Sequence, residues 1–184
     1  MRFEDLLGDG HLWGTIYDGK EKDALSELFD KWEDIGWLKT FFENNLMDLK
    51  EYFRITDVNQ AIYDTLDDAE ELRCLIFDIK PEERLSYLFR HLEDYRTFEM
   101  TLGREKAKGR AKGIRHQSWL RLYAIRLEQD TYLITGGAIK LTHTMEERNH
   151  TLEELHKMEM VRNFLLDNGA HDLDSFIEMN QEDI

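Results

Sequence analysis

The chain has 184 residues and carries 24 Lys/Arg against 39 Asp/Glu, a formal net charge of −15, with a hydrophobic fraction of 41% that includes ten Phe and four Trp. This composition suits one folded domain with a real core and excludes a disordered acidic tail. No run of eighteen apolar residues occurs, the opening MRFEDLLGDG has acids where a leader would have a basic and then an apolar stretch, and Cys74 is the single cysteine. A membrane span, a signal peptide, a disulfide framework and a Cys-based zinc site are therefore not expected, and the protein is read as cytoplasmic.

HLWGTIYDGK alternates and ends in Asp-Gly, which suits a first strand running into a turn. The next segment places Leu25, Leu28, Phe29, Trp32, Ile35, Leu38 and Phe42 at helical spacing, with Gly36 as a point of division and Asn44-Asn45 as the stop. LMDLKEYF reads as a shorter helix. TDVNQAIYDTLDDAEELRCLIFDI follows, with Thr56 and Asp57 as cap candidates and Val58, Ile62, Thr65, Ala69, Leu72 and Ile76 in helical register. Cys74 lies within that pattern and is expected to be a buried structural thiol. Pro81 stands at a first helical position, ahead of Glu82 and Glu83. Residues 45–98 thus read as an acidic helical insertion.

The character changes at GREKAKGRAKGIRHQ, residues 103–117, where three glycines and six Lys/Arg replace the apolar periodicity and predict a mobile basic loop. Leu, Ile, Tyr and Thr dominate residues 119–127 and 131–141, which predict an antiparallel hairpin about Glu128-Gln129-Asp130. Gly136-Gly137 inside its second strand predicts a bulge or a close backbone approach. Two capping boxes, Thr144 with Glu147 and Thr151 with Glu154, open the next helix, whose stripe is Leu152, Leu155, Met158, Val161 and Leu165 and whose stop is Asn168-Gly169. The tail offers Leu173, Phe176 and Ile177 for packing.

Charge is unevenly distributed. Residues 1–100 hold 12 Lys/Arg against 25 Asp/Glu, whereas residues 101–140 hold nine basic and three acidic side chains. A cationic and aromatic hairpin can stabilise a phosphate and stack on an unpaired base. Cleavage of RNA by its own 2′-hydroxyl needs in addition a base and an acid, and no metal. Arg121 and Tyr123, two apart on a strand, share a face; Arg126 falls on the other parity unless a bulge intervenes. His116 or His143, at strand ends beside the cluster, suits proton transfer. Arg104, Lys106, Lys108, Arg110, Lys112, Arg115 and Arg126 are the candidates for contacts to an RNA backbone. The competing expectation is that Arg121 and Arg126 pair with acids of the helical layer, that Tyr123 is core, and that the basic segment is a solvated loop. No histidine spacing suits a metal site, no phosphate-binding loop is complete, and no cofactor is expected.

The stretch WLRLYAIRLEQDTYLITGGAIK, followed by HTMEERNHTLEELHKMEMVRNFL, resembles the RelE/ParE superfamily of toxin-antitoxin toxins, and most of all its HigB-type branch. LWGTIYD and the helix after it are similar to the family's beginning. The resemblance implies an α+β fold: a small antiparallel β-sheet flanked by helices, here in a single domain over residues 1–184, with 45–98 as insertion and 103–180 as the RelE-like basic loop, hairpin and C-terminal helix. It also implies metal-independent cleavage of ribosome-bound mRNA, with an antitoxin protein and the ribosome and its mRNA as partners. The positions that carry over are Arg121, Tyr123 and Lys140, with Arg115 or His116 on the preceding loop. The alternative reading is a non-catalytic interaction module that binds a basic partner through its acidic helices.

Overall fold

A computed structural model describes residues 1–79, 85–92, 102–108, 116–145 and 147–182. Among the described residues six strands form one sheet in the order β1-β2-β6-β5-β4-β3, and helices lie on both of its faces. The strands are β1 (Arg2–Asp5), β2 (Leu12–Ile16), β3 (Phe89–His91), β4 (Gly103–Lys108), β5 (Leu120–Glu128) and β6 (Thr131–Ile139). The helices are α1 (Ala24–Glu33), α2 (Ile35–Asn44), α3 (Leu46–Phe53), α4 (Val58–Phe77), α5 (Asn149–Asp167) and α6 (Leu173–Glu182). The α+β class is as expected, but the sheet is mixed, because β2 runs parallel to β6 (Leu12 opposite Tyr132) while every other pair is antiparallel.

The β5–β6 hairpin is the sheet's centre, and its alternation divides the core. Leu120, Leu122 and Ala124 enter a cluster with Leu25, Leu28, Trp32, Phe42 and Leu72 of α1, α2 and α4. Tyr123, Ile125 and Leu127 enter a second cluster with Met158, Val161 and Leu165 of α5 and Phe176 of α6. Both faces of β5 and β6 are thus covered, which is why these strands read as nearly continuous apolar runs.

Local chemistry sets the helix boundaries. α1 and α2 divide at Asp34 rather than at Gly36: Asp34 ends α1, and its carboxylate then accepts from the Trp37 N–H to begin α2. Asp23 does the same for α1, at 2.8 Å from the Leu25 N–H. Glu147 accepts from the Thr144 N–H at 2.6 Å, which is half of the expected capping box, placed ahead of α5. The second box does not form, because Thr151 lies inside α5 and its hydroxyl donates to the carbonyls of Met145 and Arg148.

Several expectations are corrected. The insertion is helical through α3 and α4, but Leu85–Tyr87 is a single 3₁₀ turn and Phe89–His91 is an edge strand. Pro81, Glu82 and Glu83 lie outside the described residues. The basic segment begins as a strand, since Gly103–Lys108 pairs with Arg126–Arg121. Glu105 and Ala107 are buried while Arg104 and Lys106 are half-buried, so this strand alternates without an apolar pattern to announce it. Cys74 is exposed on α4, not buried. Among the described residues, no helix is long and apolar enough to cross a membrane.

Candidate functional site

Side chains directly opposite in antiparallel strands share a face. The register places Arg90 opposite Lys106, Lys106 opposite Tyr123, and Tyr123 opposite Gly136. Arg121 is two residues from Tyr123 and belongs to the same face. Arg126 pairs with Tyr132 on the opposite face, as strand parity predicts; it is buried, and its Nε donates to the Glu128 carbonyl. Arg90 is a basic residue the sequence reading missed, because its strand fell inside the segment read as helical.

Just beyond the end of β6 and before the start of β5 the surface folds into a hollow of about 360 Å³, lined by Tyr52, Phe53, His116, Gln117, Arg121, Lys140, Leu141, Thr142 and His143. Three of the four residues expected to act on RNA therefore meet in one concavity. Lys140 is aligned by its own N–H, which donates to the Trp119 carbonyl at 2.8 Å, and its ammonium donates to the His143 carbonyl.

Arg121 is largely buried. Its Nη1 donates to the carbonyls of Ser118 and Leu120 at 2.7 Å each, and among the described residues no carboxylate pairs with it. Burial is the largest influence on it and pulls its pKa down, with the nearby Arg90 charge acting in the same direction. A guanidinium has five N–H donors in a fixed fork. Two go to carbonyls, and the remainder suit an anion.

His116 is held on three sides. Its ring stacks on Trp119 at 4.1 Å, Phe53 meets it edge-on, and its Nε2 lies 3.0 Å from Asp64 Oδ2 on α4. Its Nδ1 is 2.9 Å from the Gln117 carbonyl. Both ring nitrogens thus face oxygen acceptors, and a neutral imidazole can donate to only one of them. Trp119 is anchored in turn by its Nε1–H on Thr65 Oγ1 at 2.9 Å. Asp68, one turn beyond Asp64, is pushed above the usual carboxylate range by burial, against a Ser118 hydrogen bond and the His116 charge. His143 is exposed and lies edge-on to Tyr52 at 4.9 Å.

Tyr123 does not reach this hollow. It is 1% exposed, burial drives its pKa upward, and its hydroxyl has no hydrogen-bond partner among the described residues. Its ring is core and offers no face to a base. Lys106 donates to the Leu92 carbonyl at 2.8 Å, and Arg104 is half-buried on β4. Arg110, Lys112 and Arg115 lie outside the described residues, as does the side chain of Lys108. Tyr52 and Asp64 were not singled out from the sequence: Asp64 and His116 are 52 positions apart, and no local pattern links them.

Among the described residues no group of three His, Cys, Asp or Glu side chains could hold a metal ion. No protein-family model matches the chain, and neither a curated protein nor a solved structure matches it.

Proposed function

We propose that this chain is an RNA-directed protein of the toxin kind, which grips a backbone phosphate in the hollow between Arg121 and Lys140 and cleaves the strand there without a metal. One observation carries the reading. In a chain of net charge −15, the largely buried Arg121 guanidinium has no carboxylate partner among the described residues and shares a concavity with Lys140 and two imidazoles. An anion is the chemical complement of that arrangement.

The chemistry follows from the same groups. His143, exposed at the hollow, accepts the 2′-hydroxyl proton. O2′ bonds to phosphorus while Arg121 and Lys140 stabilise the crowded phosphorane. The P–O5′ bond breaks as the leaving oxygen takes a proton from the Lys140 ammonium, giving a 2′,3′-cyclic phosphate and a 5′-hydroxyl. His116, fixed by Asp64 and Trp119, shapes one wall. Translating ribosomes are the proposed source of the RNA, and a small antitoxin is the proposed binding partner.

A second reading has its own observation. Tyr63, Asp67, Glu70, Cys74 and Phe77 are exposed along one side of α4, a stripe of acid and aromatic groups that suits a basic protein partner without any catalysis. Induced expression separates the two. Under the first reading growth stops, Lys140→Ala or Arg121→Ala relieves the arrest, and RNA with a 2′-deoxy nucleotide at the cut position stays intact. Equal growth with the wild-type chain and with both variants rejects cleavage.

A further inference from the structure

A second cleft, of about 410 Å³, lies where β2 stops pairing with β6, between α1, α2 and α5. Past residue 134 the open edge of β6 is met by side chains: the Tyr17 hydroxyl donates to the Thr135 carbonyl at 2.6 Å, and His150 Nε2 lies 2.9 Å from the Ile139 carbonyl. One wall is aromatic, with Trp37 stacked on Phe41 at 5.4 Å and Trp37 36% exposed. The cleft is also lined by Lys20, Lys31 and Lys157. Lys20 pairs with Glu27 and Lys157 with Glu154, and Glu153 lines the cleft as well; among the described residues Lys31 has no carboxylate within ion-pair distance, though its charge acts on Glu154.

This cleft and the hollow adjoin along the chain: β6 lines the first through Ile139, and Lys140 lines the second. Ile139 and Lys140 are consecutive residues, so both concavities border the same end of β6. An indole face with an ammonium beside it is how single-stranded nucleic acid is held without sequence reading.

Resting on the reading above, we infer that the Trp37–Phe41 cleft is the subsite for the unpaired base next to the bound phosphate, with Lys31 on the phosphate that follows. Trp37 and Lys31 are then substrate contacts contributed by the first two helices, outside the hairpin.

The test is binding of a short single-stranded RNA with 2′-O-methyl riboses, which cannot be cut, and of the same strand with one base removed. The wild-type chain should bind the intact strand roughly tenfold tighter than the abasic one, and Trp37→Ala should erase that difference. Lys31→Gln, on an exposed helical position, should weaken both strands and lower the salt dependence by about one counterion. If Arg121→Ala loses binding but Trp37→Ala and Lys31→Gln bind as the wild type does, the base subsite is overturned and the phosphate site stands. If Arg121→Ala binds as tightly as the wild type, the phosphate site falls and the subsite with it.

Discussion

Gly136 lies so close to Glu154 that a Cβ on it would come within 2.0 Å of the Oε2 carboxylate oxygen. Gly136 is opposite Tyr123, and Thr135 beside it is the extra residue of the bulge that lets the register pass from Gly136 to Ile134. The buried carboxylate thus occupies the space a side chain would need. Gly136→Ala should cost roughly 1–3 kcal/mol, as overpacking does. Adding Glu154→Ala should recover part of that loss, and thermal unfolding of the two single variants and the double variant measures the coupling. At Gly137 the obstruction is the Arg121 backbone carbonyl at 2.5 Å. A carbonyl of a central strand cannot swing aside, so Gly137→Ala should lower Tm more than Gly136→Ala.

Glu154 also gives stability a pH dependence. Burial raises its pKa above the usual carboxylate range, opposed by Lys157 and by the Gly137 N–H. The folded chain therefore keeps this proton to a higher pH than the unfolded chain does, so the contribution of Glu154 to stability falls as pH rises from the ordinary glutamate range through its raised value. Glu154→Gln cannot titrate. The Tm of Glu154→Gln minus that of the wild type should increase between pH 4 and pH 7; a flat difference would rule the effect out.

Tyr123→Phe separates packing from chemistry. Among the described residues the buried hydroxyl has no partner, and leaving such a group unpaired costs about 1–3 kcal/mol. Phenylalanine fills the same space without that cost. Tyr123→Phe should be as stable as the wild type or more so, and should leave RNA binding unchanged. A loss of binding in a correctly folded variant would give the phenol a direct role.

The wall behind His116 depends on a pair at long range. Trp119 is fully buried, and its indole N–H is satisfied by Thr65 of α4. Thr65→Val keeps the shape and removes the acceptor, which should cost ~1–3 kcal/mol. RNA binding should weaken with it as His116 loses its stacking partner, whereas Thr65→Ser should behave as the wild type; denaturant unfolding and the RNA titration check both.

The hairpin was legible because Leu, Ile, Tyr and Thr dominate both strands and its turn carries Asp130, which adopts φ +62° as tight turns require. Strand parity also put Arg121 and Tyr123 on one face correctly. What parity cannot show is which part of a face a helix covers, and so Tyr123 turned out to be core while Arg121 reached the hollow. β4 was hidden because Arg104, Glu105 and Lys106 alternate in burial but not in polarity. β1, at four residues, was too short to signal itself. The parallel pairing of β2 with β6 and the contact of Asp64 with His116 join distant stretches, and local sequence patterns do not encode which distant stretches meet.

The pairing of Leu12–Gly14 with Tyr132–Ile134 has a consequence for synthesis. A ribosome adding ~5–20 residues per second makes β2 and α1 several seconds before β6 exists. Through that interval Leu28, which packs beside Gly137 in the finished protein, has no sheet to rest on. Nascent chains arrested before the hairpin emerges should therefore recruit chaperones through α1, and release past residue 139 should end that dependence.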